Sequence, residues 1–257
     1  MRPTLSTLAL LLALLATMLP GEALAQHREN KDYCRGGGRL VLLLIDITTP
    51  YDQTDKNAIV QMTDRVLTSI EGGDRLIVRT ISDSHTRSER LAERCIPHCP
   101  ESALWKRMLN CSDGLIRTDF DAVRAEIIAA MRNRLATFHD LPYSDIVRTI
   151  STVLQEERRD VGEVSLYMYS DLIENSDYFP SKYLFSYTLQ RLIFGLQHYK
   201  LIPNLKGAKV QVAGFGRAGT ADRRPLKIEE LNKLREFWSG LFKEAGAASI
   251  SISQNPI

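Results

Sequence analysis

The sequence predicts an α/β fold, a doubly wound, mostly parallel sheet flanked by helices. Three observations predict it. Leu40-Val-Leu-Leu-Leu-Ile-Asp46 is an apolar run without polar alternation, as expected of a strand covered on both faces. Further apolar runs alternate along the chain with stretches of helical spacing. Two of the runs end in an acid, Asp46 and Asp171, and open α/β sheets collect ligands at that edge. A carboxylate buried in mid-strand would be costly, whereas at a strand tip it can meet water, a cation or a ligand.

The chain opens with a pattern that does not belong to the fold. Arg2 supplies a positive charge, Leu8 to Leu19 is an apolar stretch, Pro20-Gly21 breaks it, and Ala23-Leu-Ala25 is a small-x-small cleavage site. This is the pattern of a secretory signal peptide over 1–25, cleaved before Gln26, and it predicts an exported protein, periplasmic or secreted, with no transmembrane anchor after cleavage. Residues 26–38 form a polar N-terminal arm ending in Gly36-Gly-Gly38. The cysteines Cys34, Cys95, Cys99 and Cys111 all follow the cleavage site, an even number that in an exported chain predicts two disulfides. Three pairings are open. At least one bridge is expected within the loop that carries Cys95, Cys99 and Cys111, with Cys34 tying the arm to the first strand.

The remaining 39–257 suits one globular domain, with 44% hydrophobic and 25% charged residues overall. A net charge of +2 is too balanced to predict a nucleic-acid partner. Arg158-Arg159 and Arg223-Arg224 read as solvated surface pairs. A strand over 39–46 is followed by a helix from Asp55 to Ile70, stopped by Gly72-Gly73, and a strand over Arg75–Ile81. That is a βαβ unit with a crossover helix. Residues 83–118 then read as a long loop braced by its cysteines. Asp119 is the expected cap of a helix to Ala136, and Ser144 or Asp145 that of a helix from Ile146 to Glu157. A strand over 163–170, one long helix from Pro180 to Tyr199, a strand over 208–214, a helix from Ile228 to Ala245 and an edge strand over 248–252 complete the alternation.

At the tips, Asp46 and Asp171 share one sheet edge if both strands are central and parallel. Thr48 lies two residues beyond Asp46 and points the same way, and Ser144 reaches the edge from a loop. Carboxylates and hydroxyls are the hard oxygen ligands of Mg²⁺, Mn²⁺ or Ca²⁺. Asp46-Ile-Thr48-Thr-Pro50, Tyr143-Ser-Asp-Ile146 and Tyr169-Ser-Asp-Leu-Ile-Glu-Asn-Ser176 resemble the metal-ion-dependent adhesion site of the von Willebrand factor type A (VWA) fold, over about residues 39–253. The resemblance implies a VWA-like, MIDAS-like module. It would bind Mg²⁺ or another divalent cation through Asp46, Thr48, Ser144 and Asp171 and engage an acidic group of a protein partner. One position departs from the pattern: Pro50 stands where the family has a second serine, and Thr49 is expected to face elsewhere.

Other residues read more plainly. Asp52 and Asp55 are expected to favour the N-terminus of the following helix. Glu174, Asn175 and Ser176 either rim the site or cap the Pro180 helix. Asp83 and His85 lie at the same edge. Cys95-Ile-Pro-His98-Cys99 has the wrong order for haem, and disulfides are favoured over zinc. Gly214-Phe-Gly216-Arg217-Ala-Gly219 lacks a helix under its glycines and reads as a turn beside the edge, not a dinucleotide cradle. The alternative to a binding module is a metal-dependent phosphoester hydrolase using Asp46, on the likeness of Asp46-Ile-Thr48 to haloacid dehalogenase-like phosphatases. There the second acid of the motif is missing.

Overall fold

The computed structural model describes residues 33–34, 38–99, 111–137, 141–158, 161–217 and 223–254. The expected signal peptide and cleavage site, and most of the expected N-terminal arm, lie outside the described residues. The elements are β1 (Leu40–Asp46), α1 (Gln53–Ser69), β2 (Arg75–Ile81), β3 (Arg90–Cys95), α2 (Asp113–Ala136), α3 (Ile146–Glu157), β4 (Val164–Tyr169), α4 (Lys182–Ser186), α5 (Leu189–His198), β5 (Lys209–Ala213), α6 (Ile228–Glu244) and β6 (Ser249–Ile252).

The strands form one six-stranded sheet in the order β3-β2-β1-β4-β5-β6. All neighbours are parallel except β2 and β3. The chain builds outward from β1 to β3, returns to β4 on the other side of β1, and builds outward again. The winding therefore reverses between β1 and β4. Every residue of β1 is buried, and its alternation divides the core. Leu40, Leu42 and Leu44 pack with apolar residues of α3, α5 and α6, and Val41, Leu43 and Ile45 pack with those of α1 and α2. A strand that must face two helical layers can afford no polar residue before its tip, which explains the unbroken run.

Four sequence expectations need correction. Residues 83–118 are not all loop: Arg90–Cys95 is an edge strand, antiparallel to β2 with a bulge at Val78/Arg79. Its Arg90, Glu93 and Arg94 hid it from an apolar-pattern search. These charges are paired, Glu93 with Arg75 at 2.6 Å and also with Arg90, and Arg94 with Glu126. Charged side chains of this kind protect a sheet edge. Helix α2 is capped seven residues early. Ser112 caps it by accepting from the Leu115 amide, and Asp119 instead accepts the Tyr33 hydroxyl at 2.6 Å. The single helix expected from Pro180 is two helices. Tyr187 is extended, and the Thr188 hydroxyl accepts from the Arg191 amide to start α5. Finally, Asp145 does take the N-cap position of α3, but neither its side chain nor that of Ser144 caps the helix, a job done from elsewhere.

The four cysteines form two disulfides, Cys34–Cys95 and Cys99–Cys111. The first ties the arm to β3 at the sheet edge and not to β1. No helix among the described residues is long and apolar enough to cross a membrane. The Cys34–Cys95 bridge closes a separation of 61 residues and the other one of 12, so loop entropy assigns them about 4 and about 3 kcal/mol. Urea unfolding of the C34S/C95S and C99S/C111S double variants should show the larger loss for the first pair.

Candidate functional site

The loops at the C-terminal ends of β1, β2 and β4 are stitched together by residues 141–145. Leu141 N donates to Thr48 O at 3.4 Å, Asp145 N to Ser82 O at 3.0 Å, and Ser144 and Asn175 exchange amide bonds of 2.8 and 2.9 Å. A segment between two helices thus locks three strand ends by main-chain bonds, to which the Asp145 carboxylate adds bonds from the His85 amide and the Tyr178 hydroxyl. Tyr143 stands exposed on top of it.

Asp46 and Asp171 do meet at this rim. The β1–β4 register pairs Ile45 with Tyr169, so the next residue on β4, Ser170, lies beside Asp46. Both carboxylates are buried. Asp46 Oδ1 accepts from the Thr48 amide at 3.0 Å and the Thr48 hydroxyl at 2.6 Å, and Asp46 Oδ2 accepts the Ser170 hydroxyl at 2.6 Å. Asp171 Oδ2 accepts the Thr49 hydroxyl at 2.8 Å, and Asp171 Oδ1 the Ile173 amide at 2.9 Å. Thr49 therefore faces the site, contrary to expectation, and serves the second acid while Thr48 serves the first. Ser170 was overlooked, although its place between a strand tip and Asp171 was the available signal. Ser144 is also at the rim, but its buried hydroxyl bonds neither acid.

The largest departure is Arg223, which reads as surface and is buried. Its Nε donates to Asp55 Oδ2 at 3.0 Å, and its Nη1 lies 3.4 Å from Asp171 Oδ2, with the guanidinium carbon 5.4 Å from the centre of the Tyr51 ring. Arg217 joins it, reaching Asp55 Oδ1 at 3.0 Å and Asp52 Oδ2 at 2.6 Å. Arg217 belongs to the glycine turn after β5, and Arg223 to the stretch that leads into α6. Gly214 and Gly216 have φ of 85° and 98°. A Cβ on Gly214 would come within 2.8 Å of the Tyr169 ring, whose hydroxyl donates to Asp55. Asp52 and Asp55 form the expected capping box on α1, and Asp55 is in addition the hub of these contacts. Asp83 pairs with Arg87, and His85 with Asp145, on the same side.

Burial raises the pKa of Asp46, against the hydroxyl bonds and Arg223, which lower it. Burial and then the charge of Asp46 push Asp171 up to about 6. The Arg217 hydrogen bond holds Asp52 below the usual carboxylate range. Two acids that repel each other in a dry rim need a positive charge nearby, and Arg223 provides it.

A divalent ion at this rim would need several oxygens free and aimed at one point. Asp46, Thr48, Ser144 and Asp171 do not fit such an ion. The hydroxyls of Thr48 and Ser170 are turned onto Asp46, Pro50 has no hydroxyl to offer, and a guanidinium lies against Asp171 where a cation would share its charge. Among the described residues no group of three or more His, Cys, Asp or Glu side chains could hold a metal ion. The four cysteines are bridged, so zinc with His98 has no thiolates to use.

Glu174 caps α3 from a distance. Its Oε2 accepts the amides of Ile146 at 2.8 Å and Val147 at 2.9 Å, so it neither caps the Pro180 region nor opens onto a ligand. Leu172, two residues earlier, sits at φ 64°, and its carbonyl accepts the Trp238 indole N–H at 2.7 Å. That bond anchors the loop after β4 to α6.

No family model matches this chain, and no curated protein matches it. Among solved structures it is similar to proximal thread matrix protein 1 from the mussel byssus, at 11% identity and a TM-score of 0.42. The overlap covers 81% of this chain and 46% of that one, so the chain spans under half the length of that protein. A likeness this loose says nothing about activity.

Burial pushes Glu174 up to about 8, above its ordinary value. An acid raised in the folded state stabilises the fold fully below its unfolded pKa, and that contribution is lost as pH rises toward the folded value. Stability should therefore fall between about pH 4.5 and pH 8. Glu174→Gln keeps the acceptor and removes the proton, and should flatten that slope by roughly a few kcal/mol across the window in urea titrations.

Proposed function

We propose that the protein is an exported, VWA-like interaction module that engages a protein partner through the C-terminal edge of its sheet, with Arg223 in the role of the divalent cation. The observation that carries this reading is the Arg223–Asp171 contact over a fully buried Asp46. The acids at the switch point of the winding are neutralised from within, so the rim is a rigid platform and not a reactive centre. The segment 141–145 and the loop after β4 present its outer surface, with the half-exposed Tyr143 as an anchor of the kind that dominates protein interfaces. Export is supported by the N-terminal pattern and by the two disulfides.

The hydrolase reading finds no support at Asp46. Both of its oxygens are occupied by hydrogen bonds, and its side chain is out of reach of a phosphoester.

Two measurements test the proposal. Thermal unfolding of the wild type should be the same in EDTA and in millimolar Mg²⁺. Arg223→Ala leaves Asp171 without its cation, should lose roughly 3–5 kcal/mol, and should regain part of it when Mg²⁺ is added. A wild-type melting temperature that drops in EDTA would mean a resident ion. For the partner surface, Tyr143→Ala should weaken capture of the partner about tenfold without changing the melting temperature, and capture should persist in EDTA.

A further inference from the structure

The loop after β4 holds a buried acid with an unfinished set of partners. Glu174 is fully buried. Its Oε2 accepts the two amides at the start of α3, while its Oε1 makes no hydrogen bond of good geometry. The Ser144 and Ser176 hydroxyls, on the two segments joined by the Ser144–Asn175 bonds, are buried and unbonded as well. Native interiors leave few such atoms, and each asks for a reason.

No lysine or arginine among the described residues pairs with Glu174. The charge that faces it is another acid. Asp145, at the start of α3, is buried. It accepts the His85 amide at 2.9 Å and the Tyr178 hydroxyl at 3.0 Å, and lies 3.2 Å from His85 Nδ1 and 3.9 Å from Arg148 Nε. From its own loop, Ser176 and Tyr178 face Glu174, and Asp171 precedes it, bonded to Thr49 and the Ile173 amide. Burial raises the Glu174 pKa to about 8, against Ser176 and the α3 amides, and Asp145 adds to the rise. The neutral acid therefore belongs to the closed loop. Ionised, Glu174 stands without a cation beside Asp145, an arrangement that protein interiors disfavour strongly.

The loop is also built to let go. Leu172 sits at φ 64°, a region that favours glycine. Three bonds hold it there: its amide donates to Ser170 Oγ at 2.9 Å, and its carbonyl accepts the Trp238 indole at 2.7 Å and the Glu174 amide at 3.1 Å. Beyond it, the two Ser144–Asn175 amide bonds and a bond from Asn175 Nδ2 to Pro142 O at 3.0 Å join the loop to residues 141–145. Strand β4 has already ended at Tyr169, so releasing the loop breaks no ladder bond of the sheet.

We propose that the loop from Leu172 to Phe179 is a proton-operated latch: with Glu174 protonated it is closed over the start of α3, and loss of that proton releases it from Ile146, Val147 and Ser144. The opening is local and falls short of unfolding. It acts on the outer surface assigned above to a partner. Any effect on capture rests on that reading, whereas the latch is tested without a partner.

Amide hydrogen exchange of the full chain, followed by NMR and corrected for the intrinsic rise of the rate with pH, is the test. From about pH 6.5 to about pH 8, above the Asp171 titration, protection of the Ile146, Val147 and Asn175 amides should fall about tenfold per pH unit, the slope of one proton. These amides should be roughly a hundredfold less protected than those of Leu42 and Leu44 in β1. Low urea should speed only the β1 amides, because a local opening exposes little surface. Glu174→Gln should abolish the slope, and His85→Gln should keep it. The proposal is overturned if protection in the loop does not change with pH, or if loop and β1 amides share one level and one urea dependence. It is equally overturned if Glu174→Gln keeps the wild-type slope or His85→Gln abolishes it.

Discussion

Two carboxylates held dry and side by side are the constraint from which the rest of the rim follows. Asp46 and Asp171 end adjacent parallel strands, at the point where the order of winding reverses. Neither can be left bare, because an unpaired buried charge is among the most destabilising groups a fold can contain. Each neighbouring residue is explained by that demand. Thr48 and Ser170 satisfy the first acid, and Thr49 and the Ile173 amide the second. Arg223 supplies the opposite charge.

The same demand links parts of the molecule that are far apart in sequence. Arg223 reaches Asp55 at the start of α1 and Asp171 after β4, while Arg217 reaches Asp52 and Asp55. The stretch between β5 and α6 is thereby tied to both halves of the sheet. On the other side, residues 141–145 bind three strand ends through main-chain bonds, and Glu174 holds the first turn of α3. Arginine–carboxylate pairs close the rim from one direction, and backbone bonds with the Asp145 and Glu174 side chains close it from the other.

Much of this was legible in the sequence. The apolar run of β1 announced a strand between two helical layers, and the acids after β1 and β4 announced a shared edge. What was not legible depended on partners distant in the chain. Strand β3 is mostly charged, and only its pairing with β2 makes it a strand. The break at Tyr187 and Thr188 follows from a cap and an extended residue within a stretch whose apolar spacing is continuous. Arg223 stands beside Arg224 in a polar segment, and nothing local separates a solvated arginine from one that ends between Asp55 and Asp171. Thr49 was set aside by simple strand alternation, which no longer applies once the strand has ended at Asp46.

The dependence on Arg217 and Arg223 has a consequence for how the protein is made. Asp46, Asp55 and Asp171 emerge during synthesis well before the arginines that neutralise them. Until residue 223 has been made, the guanidinium that stands against Asp171 in the finished rim is missing. Domains commonly assemble from the N-terminus while the remainder is still being added. Here the complete set of rim contacts needs the last fifth of the chain, so a prematurely terminated product lacks the two arginines that pair with Asp52, Asp55 and Asp171.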